Sequence, residues 1–227
     1  MKIKNEKQVL QVFCNTDNPL HPEFARPFLN EKYNEVWACD GHYLLMVDPK
    51  LLRRKYKSSD VGKSIVIPMQ NVNTIVDVGD IEAACNSFGM EPEMLPKEGS
   101  AGECPACSGD GEVQWEYMDP SGHTHYMDYE CPVCDGTGYV KEEELVPTGR
   151  MLPPDGAGIR IDTSEFLVCL MLKVLEGLKL LGCKQLRHTV DYCNAVNLFE
   201  VQPGIRLLMM PAVLNSDSVV VKTTKVE

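Results

Sequence analysis

Two copies of one pattern, C-x-x-C-x-G-x-G, hold Cys104, Cys107, Gly109 and Gly111, then Cys131, Cys134, Gly136 and Gly138. Two CxxC pairs supply the four thiolates that close a tetrahedral zinc site. Each pair sets two sulfurs on one tight turn, and the glycines permit the positive backbone angles that aim amides back at the thiolates. We therefore expect one zinc ion on Cys104, Cys107, Cys131 and Cys134. Four sulfurs fill its shell and leave no place for a reactive water, so the expected role is structural. His123 and His125 lie between the pairs and would enter only by displacing a sulfur. CxxC pairs also serve thiol oxidoreductases, but the surrounding sequence has no thioredoxin-like βαβ pattern.

Twenty-three residues, 108–130, separate the two knuckles, enough for a two-stranded excursion. Residues 114–118 and 125–129 are the expected strands, turning at 119–122. Trp115, Tyr117, Tyr126 and Tyr129 are candidate anchors for a protein partner. The same stretch carries Glu103, Asp110, Glu112, Glu116, Asp119, Asp128, Glu130, Asp135 and the run 142–144 against Lys141 alone. Phosphate repulsion makes it a poor DNA finger. Pro- and Gly-rich breaks on either side mark it as an insert, residues 96–148, with 1–95 and 149–227 folding together as one discontinuous domain.

In the first flank, residues 35–40 and 42–48 are rich in β-formers around Asp40 and Gly41, which signals a hairpin. Residues 63–68 read as a short strand ended by Pro68, and 81–89 as a short helix closed by Gly89. In the second flank, Thr163 or Ser164 is expected to cap a heavily buried helix that runs to Leu181 and stops at Gly182. Residues 185–190, 195–201 and 205–211 then form an antiparallel meander, turning at Pro203 and Gly204. The predicted class is α+β. Lys50, Arg53, Arg54 and Lys57 form the one basic cluster; on a helix they would share a face, either as a solvated surface or as a contact to DNA phosphate.

Trp37, Ala38, Cys39, Asp40, Gly41, His42, Tyr43, Leu44 and Leu45 resemble the Ala-Thr-Asp-Gly-His-Arg-Leu hairpin of bacterial β sliding-clamp domains. Residues 64–68 resemble the strand and proline that follow it there, and 207–211 resemble the methionine-proline strand that closes such a domain. The resemblance implies two helices against a curved antiparallel sheet, and contact with DNA or replication proteins. A full clamp subunit has three such domains and this chain has room for one; Tyr43 stands where the clamps carry arginine. The paired knuckles resemble the cysteine-rich region of DnaJ-type co-chaperones, which carries four repeats and two zinc ions. Two repeats imply one ion, and no histidine-proline-aspartate tripeptide of a J domain is present.

A net charge of −11 argues against coating nucleic acid nonspecifically. The apolar run 166–181 is broken by Lys173, Glu176 and Lys179 and too short to span a bilayer. The first residues carry no secretory pattern, so a cytoplasmic protein is expected. The six cysteines outside the motif, Cys14, Cys39, Cys85, Cys169, Cys183 and Cys193, are expected to be reduced and buried. Asp40 and His42 are a conceivable acid–base pair, although the turn already accounts for the aspartate. His21 and His188 carry no signal. No nucleophile elbow, phosphate loop or dinucleotide fingerprint occurs. The reading is a nonenzymatic interaction protein, DNA-associated or docking replication-type proteins, with homo-oligomer formation open. The alternatives are a chaperone-like module whose insert holds a protein client, and a thiol oxidoreductase.

Overall fold

Alternating burial along β-rich segments organises the molecule around one large sheet. The computed structural model describes residues 2–16, 21–59, 61, 65–96, 101–141, 145–193, 195–214 and 218–226. Along the chain run α1 (Glu6–Val12), β1 (Phe28–Asn30), β2 (Glu35–Cys39), β3 (Tyr43–Val47), β4 (Thr74–Asp77) and α2 (Val78–Asn86). Then come β5 (Glu91–Pro96), β6 (Ala101–Glu103), β7 (Glu112–Met118), β8 (Thr124–Glu130), β9 (Tyr139–Lys141) and β10 (Leu145–Leu152). The last third holds β11 (Gly158–Ile161), β12 (Ser164–Leu167), α3 (Val168–Leu181), β13 (Gln185–Val190), β14 (Asn197–Gln202), β15 (Ile205–Met209), β16 (Val219–Val220) and β17 (Thr223–Lys225). The class is α+β, with three α-helices among the described residues where the sequence resemblance implies two.

The chain divides into two compact units: Met1–Met90 with Pro153–Glu227, and Glu91–Leu152. The seams lie a few residues outside 96–148 because β5 and β10 pair with each other, Glu91 opposite Leu152 and Pro96 opposite Leu145.

The first unit is built on an eight-stranded antiparallel sheet, β1-β2-β3-β15-β14-β13-β4-β17. Its centre is covered on both faces. Tyr43, Leu45 and Val47 of β3 join the main core, while Leu44 and Met46 join a second cluster with Phe28, Trp37, Val190, Leu198 and Leu208. Period-2 alternation sends neighbouring residues to opposite faces, which is why all five β3 residues are buried. The main core holds Val9, Leu10 and Phe13 against Met171, Val174 and Leu178 of α3. Gly177 lets α3 approach Phe13: a Cβ there would lie 2.2 Å from the Phe13 ring.

The hairpin at Asp40 and Gly41 forms between β2 and β3. Gly41 has φ of 104°, and the Asp40 carboxylate accepts the His42 and Tyr43 N–H groups at 2.8 and 3.2 Å. Asp40 is thus spent on its turn. The meander β13-β14-β15 also forms, and Gly182 caps α3 in the left-handed region.

Four expectations change. Lys63 and Ser64 lie outside the described residues, and Ile65, Val66, Ile67 and Pro68 form no strand. The Ile65 carbonyl instead accepts the Tyr33 hydroxyl at 2.8 Å and the Lys32 ammonium at 3.2 Å, and Ile65 and Ile67 pack over the second cluster. Helix α2 starts earlier and ends before Gly89, because the Asp77 carboxylate caps its first turn through Gly79 N–H at 2.8 Å. Thr163 and Ser164 do not cap α3; they belong to the β11–β12 hairpin, where Asp162 takes φ of 51° and both hydroxyls donate to the Asp191 carboxylate. Among the six other cysteines only Cys85 is buried, whereas Cys169 and Cys193 are exposed. Cys169 lies on the solvent side of α3, whose apolar residues outnumber its buried positions.

Candidate metal centre

Antiparallel pairing positions the four cysteines in the second unit. Strands β6 and β9 pair Glu103 with Tyr139, and β7 and β8 pair Glu112 with Glu130, so both knuckles are held at strand ends. The four Sγ atoms lie within 4.8 Å of one another and all four residues are buried. Cys104 Sγ is 3.8 Å from Cys131 Sγ, and Cys107 Sγ is 3.7 Å from Cys134 Sγ. A tetrahedron with Zn–S bonds of about 2.3 Å has edges of about 3.8 Å. A disulfide needs about 2.05 Å. The set fits a thiophilic tetrahedral ion and leaves no ligand position open.

The knuckles are related by a 27-residue repeat that is also a geometric one. Gly111 N–H points at Cys107 Sγ and Gly138 N–H at Cys134 Sγ, each at 3.3 Å. The Cys104 N–H donates to the Gly138 carbonyl and the Cys131 N–H to the Gly111 carbonyl, each at 2.8 Å. Each knuckle therefore closes the other. Burial raises the Cys104 thiol, but the N–H groups of Cys107 and Ala106 outweigh it and bring it down to about 7. Burial and the neighbouring Cys104 and Cys134 sulfurs push the Cys107 thiol up to about 11 despite the Gly111 amide, so without a cation the cluster holds its charge unevenly.

Glycine is required at the ends of this interlock. At Gly138 φ is 77°, and an added Cβ would sit 2.2 Å from the Gly109 carbonyl oxygen; at Gly111 it would sit 2.4 Å from that of Gly136. Gly138→Ala is expected to cost the unit about 1–3 kcal/mol and to speed metal loss to a chelator. Gly122→Ala is the control, having φ of 85° with nothing within 4 Å, so it carries the angle without the collision.

Both histidines of the excursion lie apart from the sulfur cluster. His125 and His123 face the Asp119 carboxylate at 3.1 and 3.6 Å and are exposed. The strand register separates the aromatic candidates. Tyr129 pairs with Val113, Trp115 with Met127 and Tyr117 with His125 on one face, whereas Tyr126 pairs with Glu116 on the other. Glu142, Glu143 and Glu144 lie outside the described residues.

The basic cluster does not form a helix. Pro49–Leu51 is one 3-10 turn, after which the chain extends because Glu6 captures its backbone. The buried Glu6 carboxylate accepts the Arg53 and Arg54 N–H groups at 2.6 and 3.2 Å and the Tyr56 hydroxyl at 2.6 Å. Burial pushes the Glu6 carboxyl up, but these donors outweigh it and hold it below the usual carboxylate range. Lys50, Arg53, Arg54 and Lys57 stay exposed, and Arg53 and Arg54 line a 280 Å³ cleft with Lys4 and Lys7.

His188 stands in no motif, yet it is the centre of a buried polar network. It is fully buried and stacks on Phe199 at 4.3 Å and 11°. Its Nδ1 is 2.8 Å from Asp162 Oδ2, and its Nε2 is 3.0 Å from Asn197 Oδ1. The Asn197 amide donates to the Tyr192 and Ala195 carbonyls, which fixes Oδ1 as the acceptor. Asp162 also accepts the Thr74 and Thr223 hydroxyls at 2.6 and 2.7 Å. Both ring nitrogens thus face side-chain oxygens, Asp162 Oδ2 and Asn197 Oδ1. Burial raises the Asp162 carboxyl, but Thr74, His188 and Thr223 together hold it below the ordinary range. The lone alternation of β13 could have marked position 188 as inward-facing; its partners come from distant segments.

No protein-family model matches the chain, and no curated protein does. Solved structures similar to it are bacterial DNA polymerase III beta sliding clamps. The subunit from Pseudomonas aeruginosa is 11% identical with a TM-score of 0.43, covering 92% of this chain and 64% of its own. The clamp from Bartonella birtlesii bound to griselimycin is 10% identical at 0.44, covering 92% and 64%. The subunit from Borrelia burgdorferi in complex with a natural product is 9% identical at 0.45, covering 95% and 62%. The chain spans less than two thirds of the length of these structures. No helix among the described residues is long and apolar enough to cross a membrane.

Proposed function

We propose that this chain is a nonenzymatic interaction protein: a clamp-like sheet domain, associated with DNA or with replication-type proteins, that carries an inserted module folded around one structural zinc. The observation that carries the reading is the closed, buried set of four sulfurs at Cys104, Cys107, Cys131 and Cys134. A metal with all positions filled organises its surroundings and activates no water. The clamp-like part is supported by the hairpin motif at residues 37–45 and by the Asp40 turn that builds it. Metal analysis combined with native mass measurement tests the reading. One zinc per chain, retained under mild oxidation, is expected. A metal-free protein whose four cysteines oxidise to disulfides would refute it, and the same spectrum gives the oligomeric state.

The DNA-associated part of the proposal rests on Lys50, Arg53, Arg54 and Lys57. Their exposed side chains leave a backbone that Glu6 holds in place. If each meets one phosphate, the logarithm of the binding constant falls with the logarithm of salt at a slope near −0.9 per contact. Each single neutralisation, such as Arg53→Gln, is expected to lower that slope by about 1. Retention on duplex DNA at low salt measures it; an unchanged slope across all four variants removes this surface.

A further inference from the structure

The excursion beyond the metal centre is an amphipathic ribbon. The register of β7 on β8 places Val113, Trp115, Tyr117, His125, Met127 and Tyr129 on one face. The opposite face carries Glu112, Gln114, Glu116, Asp128 and Glu130, with Tyr126, Met118 and Thr124 toward the turn. Strands normally alternate so that an apolar face can be buried. Here Trp115 is 58% exposed, Tyr117 62%, Met127 63% and Tyr129 62%.

Charge decides what could cover such a face. Fourteen of the 33 acidic residues but only three of the 22 basic ones fall within Glu91–Leu152. That unit therefore carries a formal charge of −11, the whole of the chain's net charge, and the sheet unit is neutral. No lysine or arginine occurs from residue 101 to residue 140. Glu112 and Glu130 sit directly opposite each other, an arrangement that destabilises a strand pair unless a cation joins it. Single-stranded nucleic acid would find rings to stack on but a field that repels its phosphates.

We propose that the Trp115 face of this ribbon docks an extended, arginine-rich segment of a partner protein. Guanidinium groups stack on Trp115, Tyr117 and Tyr129, drawn there by the field of a unit with a formal charge of −11, although the ribbon's own carboxylates lie on its opposite face. The segment's apolar residues lie along Val113 and Met127. This deepens the proposed function and rests on the metal-folded insert described there.

The test uses the full, zinc-loaded chain and three probes: an acetylated peptide alternating arginine with isoleucine, the same peptide with glutamate for arginine, and a thymidine oligonucleotide. Binding is read from the emission of Trp115, with Trp115→Phe subtracting the contribution of the buried Trp37. The arginine peptide is expected to shift that emission to the blue and to bind at least tenfold more tightly than either other probe. A lysine version should bind severalfold more weakly, and Tyr129→Ala should weaken the arginine peptide about tenfold. Equal binding of the glutamate peptide or the oligonucleotide, or indifference to Tyr129→Ala, overturns the proposal. So does burial of Trp115 by self-association without peptide. Zinc is measured on the same samples. Absent zinc defeats the underlying reading, whereas full zinc with no arginine preference defeats only this one.

Discussion

Cys131→Ser is expected to unfold residues 91–152 while the sheet unit keeps its own cooperative transition. Among its described residues the cysteine unit has almost no other core. Its buried cluster consists of Cys104, Cys107, Cys131 and Cys134, with only Val113 and Val140 packed partly against them. Structural zinc binds comparable four-ligand sites with an apparent free energy of about 10–16 kcal/mol, and that energy is folding energy where little apolar surface is buried. Losing one sulfur also leaves Gly111 and Gly138 closing a site with nothing at its centre. Amide exchange is the direct measurement. Protection in β7, β8 and β9 should vanish in the variant and after chelation, while β13, β14 and β15 keep theirs. If the ribbon stays protected once metal is removed, the four cysteines are a thiol core and the structural metal reading fails.

Asp162→Ala is expected to destabilise the sheet unit by about 1–3 kcal/mol for each buried donor that loses its acceptor. Small domains have about 5–15 kcal/mol in total, so this is a large fraction. The loss strands three donors at once: His188 Nδ1 and the Thr74 and Thr223 hydroxyls. It also unties a turn from three strands of the sheet, because the donors come from β13, β4 and β17. Emission of Trp37, which is 1% exposed, reports the transition in urea. His188→Phe should cost a similar amount, and the double variant should fall short of the sum, since the two groups act as a pair. Folded Asp162 is held below the ordinary carboxylate range, so the unfolded chain binds that proton more tightly. Its contribution is complete above about pH 4 and drains away as pH falls through the folded value; Asp162→Ala should remove that part of the acid sensitivity. A pH profile unchanged by the variant would show that the carboxylate plays no such part.

What the sequence made legible, and what it hid, follows from the range of the forces involved. The knuckles, the Asp40 turn, the β7–β8 ribbon and the Gly182 cap are set by residues a few positions apart, and the structure has each of them where the spacing put it. The errors occur where a distant group overrides a local signal. Glu6 takes the backbone of residues 53 and 54 from 47 positions away and prevents the basic helix. Asp191 draws in the hydroxyls of Thr163 and Ser164, whose place before an apolar run predicts a helix cap. His188 carries no local signal because its partners at 162 and 197 become neighbours only once the sheet has formed. The separation of Tyr126 from Trp115, Tyr117 and Tyr129 follows from the register and period-2 alternation.

The ladder between β5 and β10 brings the two ends of the cysteine unit together, with Glu91 opposite Leu152. Paired residues in an antiparallel ladder stand about 5 Å apart. To the chain on either side, sixty-odd residues are therefore equivalent to one tight turn, and the closure entropy a long loop would impose has already been offset inside the unit. The module can be exchanged, lengthened or trimmed at its stem without altering where the neighbouring strands must go. Changes confined to residues 91–152 therefore leave the spacing of the flanking segments unaltered.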